Sequence, residues 1–131
     1  MGILLSAETR RLLDGPNYAV LATINSDGSP QTSTMWVGRD GDDLLMSTVE
    51  GRLKHRNMTR DPRVSVTVIE SADPENYVEF RGLASMTLDA GRQVDTQLSW
   101  KYDGQDPGED APGAVRVVVR VEVLKAAGYA A

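Results

Sequence analysis

Residues 114–125 read AVRVVVRVEVLK, and this stretch carries the clearest signal for the fold. Valine recurs at every second position from Val115 to Val123. Charged side chains stand between the valines, at Arg116 and Arg120 among others. Because neighbouring side chains of a β-strand point to opposite faces, this period of two predicts a long strand with one buried face. The segment therefore belongs to a sheet, and other segments of the chain must supply its partners.

Five further segments have strand character. Each is rich in β-branched, aliphatic or aromatic residues, and short turns or loops containing Gly, Asn, Asp or Pro separate most of them, which favours antiparallel pairing. The predicted strands are residues 17–24, 30–37, 44–48, 63–69 and 77–88. Gly82, inside the last of them, indicates a bulge or a bend of the kind that the corner of a barrel requires.

Three short segments favour helices instead. The first helix begins after Ser6, which can cap it, and ends at Gly15. Residues 51–60 include several good helix formers, and Asp89 can cap a third helix. Because the chain shows no internal repeat and no domain boundary, residues 1–131 are predicted to form a single, mainly β domain. We expect a compact six-stranded antiparallel β-barrel with two or three short helices.

Composition limits the chemistry that the chain can perform alone. It has 131 residues, no cysteine and one histidine, His55. These counts exclude disulfides, thiolate nucleophiles, cysteine-ligated metals and the histidine clusters of most catalytic metal sites. A reaction would therefore depend largely on a bound cofactor. No run of residues approaches the roughly 20 apolar residues of a membrane helix, so we expect a cytoplasmic domain with no membrane contact.

Charge is unevenly distributed along the sequence. The formal net charge of −5 disfavours duplex nucleic acid as a partner, because binding to phosphate backbones needs positive surface. Residues 52–63 nevertheless contain five of the 14 lysines and arginines. They follow a predicted strand end at Thr48 and a turn at Gly51, so the first amides of a helix would lie close to Arg52 and Lys54. The segment predicts either a phosphate site or a solvated helix face.

Three stretches, taken in order, carry a family resemblance: LATINSDGSPQTSTMWV (21–37), MSTVEGRLKHRNMTRDPRVSVTV (46–68) and YVEFRG (77–82). Together they resemble the pyridoxamine 5′-phosphate oxidase-like split β-barrel superfamily. The run R-x-K-x-R-N-x-x-R-D-P-R at residues 52–63 is similar to the branch that uses the deazaflavin cofactor F420. The resemblance implies an FMN-binding split barrel, and a homodimer with two cofactor sites in grooves between the subunits.

The resemblance also implies which residues hold F420 or, alternatively, FMN. Arg52 and Lys54 would hold the phosphate, with Arg56 and Asn57 beside them, and Arg56 and Arg60 could also meet carboxylates of the glutamate tail of F420. The remaining implied positions are Ser33, Thr34 and Met35 near the deazaflavin ring, Ser47 and Thr48 as sources of hydroxyl or backbone bonds, and Tyr77 at the flank of the site.

The activity implied by the resemblance is hydride transfer between F420 and an unsaturated small molecule. The sequence offers no obvious proton donor at the ring, so no catalytic residue is assigned. His55 is expected to be solvated or to support its neighbours. Trp100 is expected at the dimer interface or in a pocket wall.

Two alternatives remain open from the sequence. One is an FMN-dependent enzyme that resembles pyridoxamine-phosphate oxidase, which Thr32, Ser33 and Thr34 disfavour because they stand where such oxidases place basic residues. The other is a non-catalytic protein that stores F420 or a flavin on the same barrel. Haem storage is disfavoured because the single histidine, His55, lies in the basic segment.

Overall fold

The computed structural model describes residues 2–131, which form seven β-strands and three α-helices. The strands are β1 (Tyr18–Ile24), β2 (Pro30–Met35), β3 (Gly38–Asp40), β4 (Asp43–Val49), β5 (Arg63–Ile69), β6 (Tyr77–Leu88) and β7 (Arg116–Ala127). The helices are α1 (Ala7–Asp14), α2 (Leu53–Arg60) and α3 (Gln93–Asp103), and a 3₁₀ turn, Ala90–Arg92, precedes α3. Within residues 2–131, no helix has the length and apolar character needed to cross a bilayer.

All seven strands form one antiparallel sheet in the order β2-β1-β5-β6-β7-β4-β3. Its two edge strands, β2 and β3, are separated along the chain only by Trp36 and Val37. Such a short connection spans at most roughly 11 Å, so the ends of the two edge strands must lie close together. The sheet therefore curls around a core but stays open at its edges.

The mainly β, antiparallel fold with three short helices is confirmed, but the expected six-stranded barrel was wrong, because the sheet has seven strands and is open at its edges. Residues 30–37, predicted as a single strand, form β2 only as far as Met35, and the chain re-enters the sheet as the three-residue β3, which pairs with β4. The break occurs because α3 takes the hydrogen bonds of Val37. The Val37 N–H donates to the Tyr102 hydroxyl (3.2 Å), and its carbonyl accepts from the Lys101 ammonium (2.6 Å).

The concave face of the sheet forms the core. In β7 the buried residues are Val117, Val119, Val121 and Val123, which confirms the alternation predicted from the sequence. Phe80 on β6 is fully buried against them, and Leu12 and Leu13 of α1 complete the same cluster. Burial of an aliphatic or aromatic side chain contributes about 1.5–3 kcal/mol, so this cluster is the main source of stability.

Local signals predicted from the sequence are confirmed. The Ser6 hydroxyl accepts a hydrogen bond from the Thr9 N–H (3.1 Å) and caps α1. The pairing of β6 with β7 shifts register at Gly82, where a Cβ atom would lie 2.1 Å from the Glu122 carbonyl oxygen. The Asp89 carboxylate accepts hydrogen bonds from two main-chain N–H groups at the start of α3. The last strand and the helix before it are thereby fixed relative to the rest of the sheet.

Candidate functional site

A cleft of about 490 Å³ opens at one side of the sheet. The end of β2, the end of β4, the start of α2, one face of α3 and the loop of residues 104–113 all contribute to its walls. Its volume lies in the range of small-molecule and cofactor sites. We call it the main cleft.

One corner of the main cleft is cationic, and Arg52 and Lys54 define it. The helix α2 begins at Leu53, no side chain accepts a hydrogen bond at its N-cap, and its first turn contains no acidic residue. Gly51 turns the chain into this helix with φ near 93°, a conformation that favours glycine. Uncapped amides, the helix dipole and two cations together suit an anionic group.

These two cations differ from most others in the protein because they have no partner. Arginines in ion pairs with carboxylates are Arg10, Arg11, Arg39, Arg63, Arg81, Arg92, Arg116 and Arg120. Arg60 and Lys101 donate to main-chain carbonyls instead. Within residues 2–131, side chains without an ion pair or hydrogen bond are found at Arg52, Lys54, Arg56 and Lys125. Three of the four therefore lie at the start of α2.

Burial affects Lys54 directly. Desolvation, together with the positive charge of Arg52, lowers the pKa of the Lys54 ammonium below its usual value. An anion placed between the two side chains would relieve this repulsion and raise that pKa again. The corner is therefore electrostatically prepared for a negative ligand.

Aromatic rings form a second wall of the cleft. Trp36 and Tyr18 line it, and the Trp36 ring stacks on Tyr102 at 5.3 Å between centroids and 4° between planes. The Tyr102 hydroxyl donates to the Asn17 carbonyl, which fixes the ring, and burial raises the pKa of this hydroxyl so that it stays protonated. The wall therefore presents a flat, rigid and largely apolar surface.

A network of ion pairs forms the third wall. The Arg116 guanidinium makes two hydrogen bonds to the Asp110 carboxylate (2.8 Å each) and one to the Ser47 hydroxyl (3.3 Å). Arg92, which has left-handed backbone angles (φ 53°), pairs with the buried Asp95 and lies 3.6 Å from Asp110. The network attaches the 104–113 loop to the start of β7 and to Arg92 before α3, and it gives the cleft an acidic side.

The structure brings together five of the residues that the sequence implied for cofactor binding. The main cleft is lined by Thr34, Met35, Ser47, Arg52 and Lys54. Ser33 precedes them on β2, and its hydroxyl lies 3.9 Å from the Met35 sulfur. Thr48 points into the core instead, where it is 1% exposed and its hydroxyl has no partner among the described residues.

The other implied residues lie elsewhere. Arg56 and Asn57 line a second groove of about 410 Å³ together with Arg60 and the turn after β1. The Asn57 amide is buried and donates to Thr23 (3.0 Å) and to Asn25 (2.9 Å). Its role as a cofactor ligand stays a prediction, but its hydrogen bonds inside the protein are already substantial.

Tyr77, at the start of β6, is not part of the main cleft. It makes an edge-to-face contact with Tyr129 at 6.0 Å. His55 and Trp100, to which the sequence gave no definite role, also have partners nearby. His55 accepts a hydrogen bond from the Gly51 N–H (3.1 Å), and Trp100, which is 56% exposed, donates to Asp106 (2.8 Å).

Several cleft residues could not be identified from the sequence. Tyr18 and Tyr102 stand in ordinary strand and helix contexts, and Arg116 resembles any exposed charge of an alternating strand. The 104–113 loop is polar and rich in Pro and Gly, which indicated only a connection. The one available signal was the density of carboxylates in this loop, which gives no information on their partners.

The open antiparallel sheet and the cation-lined cleft beside a helix N-terminus define the structural class, and comparison with known proteins identifies the family. The family model described as pyridoxamine 5′-phosphate oxidase matches residues 5–127. The chain belongs to this family of oxidoreductases, as the motifs at residues 21–37, 46–68 and 77–82 implied.

Solved structures support the assignment. A protein named F420 reductase is 34% identical, with a TM-score of 0.82 over 90% of this chain and 94% of that one. A conserved hypothetical protein from Mycobacterium tuberculosis is 25% identical, with a TM-score of 0.75 over 95% and 84% of the two chains. General stress protein 26 from Bacillus anthracis shares the fold at 21% identity, with a TM-score of 0.65 over 88% and 86%.

Proposed function

We propose that this chain is an oxidoreductase that binds F420 in the main cleft and transfers a hydride between the cofactor and an unsaturated small molecule. The family supports the oxidoreductase class, and the relative named F420 reductase supports the choice of cofactor. The observation that carries the proposal is the cationic corner. In a protein of net charge −5 whose other arginines are mostly paired, Arg52 and Lys54 are left without partners inside a cleft of cofactor size.

The cationic corner, the end of β2 and the aromatic wall each have a part in this function. Arg52, Lys54 and the first amides of α2 hold the phosphodiester of the cofactor by charge-assisted hydrogen bonds. Thr34 and Met35 lie against one part of the ring system, and Trp36 provides a flat wall that excludes water from it. When bound in its reduced form, F420 supplies a hydride from its central ring carbon. The protein contributes position and orientation, and no side chain is assigned as a proton donor.

The proposal includes a homodimer in which a second copy completes the cleft. Support comes from the family resemblance and from large apolar side chains that the single chain leaves exposed, among them Leu88 (67%), Tyr129 (82%) and Leu124 (46%). Analytical ultracentrifugation should give a mass of twice 14.2 kDa at micromolar concentration. A mass of 14.2 kDa at all accessible concentrations would contradict this part of the proposal.

The cofactor is tested by fluorescence titration of the purified protein with F420 and with FMN. We expect tighter binding of F420, and we expect Lys54→Ala to weaken it by about tenfold or more, the scale of a lost charge-assisted hydrogen bond. Lys125→Ala is the matched control, because it removes the same charge from an unpaired, exposed lysine on β7. A preference for FMN, or equal effects of the two substitutions, would contradict the proposal.

Catalysis is tested separately by following the reoxidation of reduced F420 with a panel of conjugated enones and quinones. Turnover above the rate without protein supports an enzyme. Tight F420 binding without turnover of any acceptor would favour the alternative of a storage protein. Tight FMN binding with oxidation of pyridoxamine phosphate would favour the other alternative, an oxidase.

A further inference from the structure

Asp110 lies close to the cationic corner although it is far from it in sequence. The ladder between β4 and β7 pairs Val49 with Arg116, and the Glu50 N–H donates to the Val115 carbonyl (2.8 Å). The turn that leads to Arg52 is therefore fixed beside the start of β7. Because Arg116 holds the Asp110 carboxylate with two hydrogen bonds, Asp110 faces the same end of the cleft.

Two of the four cations at this end of the cleft are paired with carboxylates. Arg92 and Arg116 are neutralised by Asp95 and Asp110, which leaves Arg52 and Lys54 as the cations available to a ligand. Hydrogen bonds from Arg116 hold the pKa of Asp110 below its usual value, and the charge of Arg52 acts in the same direction. Asp110 is therefore negative throughout the neutral range and close enough to Arg52 to act on what binds there.

We propose that Asp110 is a specificity-determining residue that makes the cleft select a singly charged phosphodiester and reject a doubly charged phosphate monoester. The inference rests on the proposed function, in which Arg52 and Lys54 bind the phosphodiester of F420. FMN carries a monoester whose second proton dissociates near pH 6, so it brings about two negative charges at pH 7.5. The carboxylate of Asp110 opposes the attraction of Arg116 for the ligand, and it does so for the second charge as strongly as for the first.

The size of the effect follows from this charge difference. Repulsion across a hydrated cleft is worth about a threefold change in affinity for each ligand charge at the phosphate. Removing the charge of Asp110 should then improve F420 binding about threefold and FMN binding about tenfold, since the factor applies twice to a dianion. The ratio of the two affinities should thus move towards FMN.

The experiment measures the dissociation constants of F420 and FMN for the wild-type protein and for Asp110→Asn. Asparagine keeps an oxygen that can accept from Arg116, so the loop retains an attachment. Glu109→Gln is the matched control, because Glu109 lines the same cleft, is exposed and has no ion-pair partner among the described residues. We expect Glu109→Gln to change the F420-to-FMN ratio less than twofold.

A second measurement needs no variant. Between pH 5 and pH 7.5 the FMN phosphate gains a charge, while Asp110 stays ionised. In the wild-type protein the cationic corner attracts this added charge while the carboxylate of Asp110 opposes that attraction, so FMN affinity should change less than threefold. In Asp110→Asn it should increase with pH by threefold or more.

The outcomes separate this inference from the proposed function. If the wild-type protein prefers FMN or binds neither cofactor, both proposals fail. If it prefers F420 but Asp110→Asn shifts the ratio no more than Glu109→Gln does, only the role of Asp110 is overturned. A wild-type FMN affinity that increases tenfold from pH 5 to pH 7.5 would overturn it as well, even if the variant does not fold.

Discussion

The sequence motif and the structure give Asn57 two different roles. The motif implies a cofactor ligand, whereas the structure shows a side chain that is 1% exposed and bonded on both sides. Its amide nitrogen donates to Thr23 and Asn25, and its oxygen accepts from Arg60 (3.2 Å). These bonds attach α2 to the end of β1 and to the turn that follows it.

Substitution of Asn57 by Ala removes all three hydrogen bonds. Each hydrogen bond contributes about 1 kcal/mol, and the buried polar groups that bonded to Asn57 would be left without a partner. The free energy of unfolding should therefore fall by about 2–4 kcal/mol. A domain of this size has about 5–15 kcal/mol in total, so the loss is easily measured by urea denaturation. The control is Thr59→Ala, because Thr59 is an exposed residue of the same helix. It should lower the free energy of unfolding by less than about 1 kcal/mol.

Ligand binding distinguishes the two roles of Asn57. At a temperature where Asn57→Ala is folded, its affinity for F420 should stay within threefold of the wild-type value, because the amide lies in the second groove and not in the main cleft. A stability loss below 1 kcal/mol, combined with a tenfold loss of F420 affinity, would refute this reasoning. The motif would then have identified a ligand that the structure assigns to packing.

Two further predictions concern the fold. Gly82→Ala places a Cβ atom 2.1 Å from the Glu122 carbonyl oxygen, and it should lower the free energy of unfolding, measured by urea denaturation, by about 1–3 kcal/mol. In the control Gly108→Ala the new Cβ lies in open space, so the free energy of unfolding should change by no more than about 0.5 kcal/mol. Equal losses in the two variants would contradict the crowding argument. Burial lowers the pKa of Lys101 from its ordinary value of 10.5 to about 8. Between these two pH values the unfolded chain therefore binds more protons than the folded chain. Wild-type stability should therefore rise with pH across this interval relative to Lys101→Met, and a constant difference would exclude the shift.

The fold could be predicted where its signals are local. The valine alternation of β7, the cap at Ser6 and the bulge at Gly82 each depend on a few neighbouring residues, and each is confirmed. The break at Val37 could not be predicted, since it depends on Tyr102 and Lys101, more than 60 residues away. Nothing in residues 30–37 opposes a continuous strand.

The candidate site divides in the same way. Arg52 and Lys54 could be predicted because a strand end, a glycine turn and a helix start are consecutive in the sequence. Asn57 belongs to the same run, but its environment depends on β1, which the helix packs against. The pairing of Asp110 with Arg116 depends on where a loop folds, and charges along a loop do not reveal that.

The cationic corner does not stabilise the folded chain. Carboxylates outnumber cations, 19 to 14, so partners for Arg52 and Lys54 were available in the composition. Instead the two charges lie side by side, and burial together with their mutual repulsion lowers the pKa of Lys54. Asp110, a carboxylate of the same cleft, is held by Arg116 instead. An arrangement that sacrifices local stability and is kept in place by a separate network is expected at a ligand site, where the missing partner arrives with the ligand.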